Sequence, residues 1–254
     1  MRRQTGDTHG MTDVSAQALI ADPAIESVEI KLTVRDDQEG LVYGALKRAD
    51  ADPERREVYF ADDDELTLYE AGLVIRARKV DGDTDNSTVK LRPVTPDQLD
   101  ERWKRLAEFT MEVDAVGSKF VCSAKIDTDQ ERGEIDAWVS GEREREKLLS
   151  EDQEALIAEH APVSIEWAAI RPLGPIEVRK WEIRPKGLEN DVAVEEWVLP
   201  DDSNLLELSI KVKPEDAEDA ARRFRAYLSD HGIDLEGDQQ TKTKAALYYF
   251  TGRT

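Results

Sequence analysis

The chain has 254 residues, 39% of them apolar, which suits one sizeable domain with its own core. Its 56 acidic against 35 basic side chains give a net charge of −21, which repels nucleic acid and anionic membranes and argues against both as partners. Charged residues reach 36%, against ~25% in an ordinary domain, so much of that charge must cover the surface or line a wet cavity.

A single cysteine, Cys122, excludes an internal disulfide and a zinc site built on paired cysteines. His9, His160 and His231 are scattered, so no histidine-based triad or zinc site is expected. There is no apolar run of ~18 residues and no apolar centre behind Arg2 and Arg3, and the expected location is cytoplasmic. Residues 1–23 are polar and aperiodic and read as a disordered tail, with one domain over 24–252.

Alternation predicts strands at 27–34, 57–60, 73–79, 87–92 and 109–116. A second set is expected at 165–170, 176–184, 192–199, 205–212 and 245–251. Helices are expected at about 38–49, 97–107, 143–159 and 214–230, the last opening on Pro214. The acidic stretch 81–86 reads as a loop, and 127–141 receives no assignment. The fold class is α+β with an antiparallel sheet.

The residues that share a strand face carry the functional signal. Glu29 and Lys31 oppose Val28, Ile30 and Leu32; Arg76 and Arg78 oppose Leu73, Ile75 and Ala77; Thr88, Lys90 and Arg92 oppose Val89 and Leu91. Glu112 and Asp114 oppose Met111 and Val113, and Glu207, Ser209 and Lys211 oppose Leu206, Leu208 and Ile210. Cations dominate two strands and carboxylates two others. A barrel interior holding a polyanion and its metal needs that segregation, which a solvent-facing sheet does not.

These motifs resemble the CYTH superfamily of triphosphate tunnel metalloenzymes. Ser27-Val28-Glu29-Ile30-Lys31 is similar to its first-strand Glu-x-Glu-x-Lys, and Ala71-Gly72 leading into Arg76 and Arg78 is similar to its arginine strand. Thr88-Val89-Lys90-Leu91-Arg92 and Glu112-Val113-Asp114 follow in the family's order. Further on come Leu173-Gly174-Pro175 ahead of Arg179, the Glu207 strand, and Thr243-Lys244 in place of a late Ser-Lys.

The resemblance implies a closed tunnel of eight antiparallel strands with flanking helices. Lys31, Arg76, Arg78, Lys90, Arg92, Arg179, Lys211 and Lys244 would hold phosphates, and Glu29, Glu112, Asp114 and Glu207, with Glu195 or Glu196, would hold Mg²⁺ or Mn²⁺. It implies a metal-dependent triphosphatase acting on inorganic, nucleoside or thiamine triphosphate, a phosphate-binding module, or an adenylyl cyclase on the same scaffold. The partner is a small triphosphate or nucleotide, and the expected assembly a monomer or homodimer. The chain departs from the family at Ser27 and Ser209, where glutamates are common, and at Trp181, which shares a face with Arg179 and could stack on a ring at the tunnel mouth.

Overall fold

A computed structural model describes residues 18–46, 52–234 and 241–253. The alternating segments form nine strands: β1 Ser27–Val34, β2 Glu54–Asp62, β3 Leu73–Val80, β4 Asp85–Leu91, β5 Phe109–Val116, β6 Lys119–Gln130, β7 Arg171–Ile183, β8 Val192–Val198 and β9 Asn204–Val212. They close into a barrel in the order β1-β5-β6-β4-β3-β2-β7-β8-β9. The expected eight antiparallel strands are thereby corrected to nine. An odd number of strands cannot alternate around a closed ring, so one neighbouring pair must run the same way. That pair is β1 and β5, and the three strands between them in the chain supply the long crossover that a parallel pair requires.

Helices flank the barrel, among the described residues α1 Glu39–Leu46, α2 Thr67–Glu70, α3 Glu134–Ser140, α4 Glu151–His160, α5 Ala217–Asp230 and α6 Lys242–Thr251. The barrel is apolar outside and polar inside. Val28, Ile30 and Leu32 of β1, Ile75 and Ala77 of β3, Met111 and Val113 of β5 and Leu208 and Ile210 of β9 point outward into one large core. That core includes Val42 and Leu46 of α1, Leu156 of α4 and Phe224 and Leu228 of α5. Each such fully buried side chain contributes about 1.5–3 kcal/mol. Gln153 pins α4 to the barrel wall: its amide donates to the carbonyls of Ser87 and Ile126 at 3.2 and 3.0 Å.

A second, smaller core lies on the inward faces at one end. Val58 and Phe60 of β2, Val74 of β3, Ile176 and Val178 of β7 and Trp197 of β8 meet Ala246 and Leu247 of α6 there. Gly72 makes the start of β3 possible. At φ +85° it lies so close to the backbone of Arg92 that a Cβ would come within 2.1 Å of the carbonyl oxygen.

Three expected elements are absent. Residues 165–170 turn rather than extend, with Ala169 N–H donating to Glu166 at 2.8 Å. Residues 97–107 make only two short 3₁₀ turns. Residues 245–251 are helical despite their β-prone aromatics: the Thr241 hydroxyl accepts from Lys244 N–H at 3.3 Å at one end and Gly252 turns left-handed at the other. Helix start and stop signals outweigh residue preference when one face is buried. The unassigned 127–141 contains the end of β6 and all of α3. Of the expected tail, residues 1–17, including His9, lie outside the described residues, whereas Leu19 is buried in the outer core. Part of the 38–49 helix, residues 47–49, also lies outside them. Among the described residues no helix is long and apolar enough to cross a membrane.

Candidate functional site: a charged tunnel

Because the helices cover the apolar faces, strand alternation turns the charged residues inward. Three groups line the interior.

The first is a lysine–carboxylate network. The Asp114 carboxylate receives Lys31 at 2.7 Å and Lys90 at 2.8 Å. Glu112 receives Lys90 at 3.1 Å, Lys211 at 3.2 Å and Lys125 at 3.5 Å. Glu29 pairs with Lys31 at 3.1 Å. Burial alone would raise the carboxyl pKa values, but Lys90 and Lys125 hold Glu112 down at about 2, and Lys31 and Lys90 hold Asp114 far below the usual carboxylate range. Burial opposes the charge of Lys31, yet Asp114, Glu29 and Glu207 outweigh it and raise that pKa well above the ordinary value. The network is wet at its edge: side-chain exposure runs from 15% at Lys90 to 53% at Lys211.

The second is an arginine cluster. Arg76 donates to the Thr88 hydroxyl at 3.0 Å, and that hydroxyl donates to Asp127 at 2.5 Å. Arg78 donates to Asn86 at 3.2 Å. Among the described residues neither arginine forms an ion pair, and the buried Nε of Arg76 has no hydrogen-bond partner. Burial, then repulsion from Arg76 and Arg56, lowers the pKa of Arg78 to about 10. A chain of net charge −21 has therefore concentrated unneutralised cations at one place, which is the donor arrangement a phosphate group fits.

The third group sits beneath α6. Lys242 reaches in from the first turn of that helix, pairs with Glu195 and with Glu207 at 2.8 Å, and lies 5.1 Å from the Trp197 ring. Burial opposes both charges, but the pair keeps Glu195 well below and Lys242 above their usual pKa values.

Lys31, Arg76, Arg78, Lys90, Lys211, Glu29, Glu112, Asp114 and Glu207 thus share the interior. Three expected phosphate ligands do not. Arg92 lies past the end of β4, over the Tyr69 ring at 5.6 Å. Lys244 stands over Tyr248, and it is Lys242, two residues earlier, that enters the tunnel. Arg179 faces outward: Val178 and Lys180 hold the inward positions of β7, and Arg179 pairs with Glu196 at 3.1 Å outside. The inward acid of β8 is accordingly Glu195, not Glu196. Trp181 is 5% exposed in the outer core and cannot stack on a ligand. The register of β7 was obscured because apolar residues point inward where α6 closes the barrel, so the polar-inside rule reverses there. Lys125 and Asp127 were missed although β6 alternates as clearly as the others, with Cys122, Ala124 and Ile126 on the outer face.

A divalent metal suits the donor chemistry of one place. Oxygens of Glu29, Glu112 and Asp114 lie within 4.8 Å of one another, and the buried Ser27 hydroxyl, directly across from Glu112, has no hydrogen-bond partner among the described residues.

No protein-family model matches the chain. No curated protein sequence matches it. Among solved structures, a Bacillus halodurans protein provisionally assigned as an adenylate cyclase superposes with a TM-score of 0.60 over 87% of this chain and 96% of its own, at 14% identity. The chain has the CYTH fold. A second structure of that fold, HpAC1 from Hippeastrum, is provisionally assigned as an adenylyl cyclase and described as having a dominant triphosphatase activity. It superposes with a TM-score of 0.59 over 91% of this chain and 97% of its own, at 16% identity. The CYTH fold accounts for the closed barrel; the residues inside it are this chain's own.

Proposed function

We propose that the tunnel binds a triphosphate-bearing small molecule and, with a divalent metal, cleaves its terminal phosphoanhydride. The observation that carries this reading is the Arg76–Arg78 pair, two inward guanidiniums that form no ion pair among the described residues, where burial and then repulsion from Arg76 lower the pKa of Arg78. Such charge is costly in the empty protein and is offset when an anion arrives. Arg76 and Arg78 grip phosphate oxygens in fork geometry, while Lys31, Lys90, Lys125 and Lys211 act as movable point charges along the rest of the chain of phosphates. Trp197 and Lys242 meet in the interior beneath α6, beside the inner apolar cluster. Glu29, Glu112 and Asp114 would hold Mg²⁺ or Mn²⁺, which neutralises charge that builds on the phosphoryl oxygens. The triphosphatase activity described for HpAC1 supports the same reading by likeness of fold.

A second reading is binding without turnover. It is favoured by Ser27 and Ser209, which place hydroxyls at inward positions across from Glu112 and Lys31. Phosphate release from inorganic triphosphate, ATP and thiamine triphosphate, and cyclic AMP formation from ATP, each with and without Mg²⁺ or Mn²⁺, test both. Metal-dependent phosphate release is the expected result. Binding by calorimetry with no release selects the second reading, and no binding to any of the three refutes both.

A further inference from the structure

The carboxylates best placed for a divalent cation are each already paired with ammonium groups. Three acids, Glu29, Glu112 and Asp114, are met by four lysines: Lys31, Lys90, Lys125 and Lys211. Every contact is 3.5 Å or shorter, and the lysines rise from four different strands, β1, β4, β6 and β9. Even if Asp127 is included, which Lys125 approaches at 3.6 Å, positive charge equals negative, and Arg76 stands next to Thr88 on the neighbouring strand. A divalent ion approaching the empty tunnel therefore meets no net negative charge, and must displace lysines to reach an oxygen.

A triphosphate reverses this balance, since it brings about four negative charges at neutral pH. Lysine ammoniums on flexible stems can turn to phosphate oxygens, which bares the carboxylates. The unpartnered Ser27 hydroxyl adds a neutral oxygen at the same spot.

We infer that the four lysines take the place of the divalent cation in the empty tunnel, so that Mg²⁺ or Mn²⁺ enters only together with the polyphosphate. The tunnel accepts the metal–polyphosphate chelate and rejects the free metal. This rests on the polyphosphate reading above and adds a binding order to it. By linkage, each of the two ligands then raises the affinity of the other by the same factor.

Two measurements test it on the full chain. Electron paramagnetic resonance of free Mn²⁺ reports uptake by the wild type, by Asp114→Asn and by Lys125→Met with Lys211→Met. With Mn²⁺ alone, the wild type is expected to take up no more than Asp114→Asn, which corrects for the acidic surface. The double lysine variant should take up Mn²⁺ roughly tenfold or more tightly. Thermal melts of the wild type keep the test open if that variant does not fold: at matched ionic strength Mg²⁺ alone should not move the melt, tripolyphosphate should raise it, and both together should raise it further. Stabilisation by Mg²⁺ alone equal to that seen with tripolyphosphate present, or Mn²⁺ uptake by the wild type that Asp114→Asn abolishes, overturns the inference and leaves polyphosphate binding standing. A melt that tripolyphosphate does not move overturns both.

Discussion

Replacing Arg76 with methionine should separate function from stability. The side chain keeps its apolar stem and loses a guanidinium that, among the described residues, bonds Thr88 and has an unpartnered Nε. A phosphate charge about 4 Å from that guanidinium is worth about 4 kcal/mol at an effective dielectric of about 20, and hydrogen bonds to charged groups contribute ~1.5–3 kcal/mol. The expected loss of tripolyphosphate affinity is therefore ~2–4 kcal/mol, or roughly 30- to 1000-fold in Kd. Stability should move the other way. Arg76 is one of the cations that, after burial, push the Arg78 pKa down to about 10, so its removal relieves a repulsion. Offset by the lost Thr88 bond, the net gain is at most about 1 kcal/mol, which for a domain of this size is roughly 2–4 °C in Tm. Calorimetric titration with tripolyphosphate beside a thermal melt reads both. Unchanged affinity, or a melt that falls by several degrees, would refute the view that Arg76 is held in the tunnel for an anion rather than for the fold.

Lys242→Met should do the opposite for stability, because it leaves Glu195 and Glu207 buried without their ammonium; a cost of ~3–5 kcal/mol is expected in urea unfolding, partly recovered by adding Glu195→Gln. Gly72→Ala should cost more than ~3 kcal/mol, since the added methyl would sit 2.1 Å from the Arg92 carbonyl at a φ of +85°, and soluble yield or the melt would show it. Acid sensitivity follows from Glu112, held at about 2, and Asp114, held lower still: folded pKa values below the unfolded ones give stability that is complete above about pH 4.5 and is lost as pH falls toward 2. For Glu112 alone the linked stability is roughly 3 kcal/mol, so Glu112→Gln should flatten the pH dependence of unfolding between about 4.5 and 2.

The barrel was legible because most of its strands carry a largely apolar outer face. In β1, β3, β4, β5 and β9 that alternation named both the strand and the inward residues, and the structure keeps those faces except at Arg92, which lies past the end of β4. What was not legible lies where a second apolar surface enters. At the α6 end Val58, Phe60, Ile176 and Val178 point inward, so apolar no longer means outward and Arg179 was read for Lys180. Residues 245–251 read as a strand because Tyr248, Tyr249 and Phe250 favour sheets, although Thr241 and Gly252 mark the ends of a helix over 242–251. Lys242 was missed with it. The sequence suggests a strand around Cys122 but no motif draws attention to its bounds or to Lys125 and Asp127, which β6 turns inward. Ion pairing is a further layer beyond sequence: that Glu112 meets three lysines from three strands depends on barrel closure, which places β9 and β6 on either side of β5 and β1.

The central claim is that the arginine pair and the lysine network form one polyanion site inside the barrel. A crystal structure with a non-hydrolysable imidotriphosphate and Mg²⁺ tests it most directly. The account predicts phosphate oxygens within hydrogen-bond distance of Arg76, Arg78 and Lys90, with Lys90 drawn away from Glu112 and Asp114. An anion seated instead in the pocket lined by Arg55, Arg56, Lys79, Arg132 and Arg179, with the tunnel lysines still on their carboxylates, would contradict it.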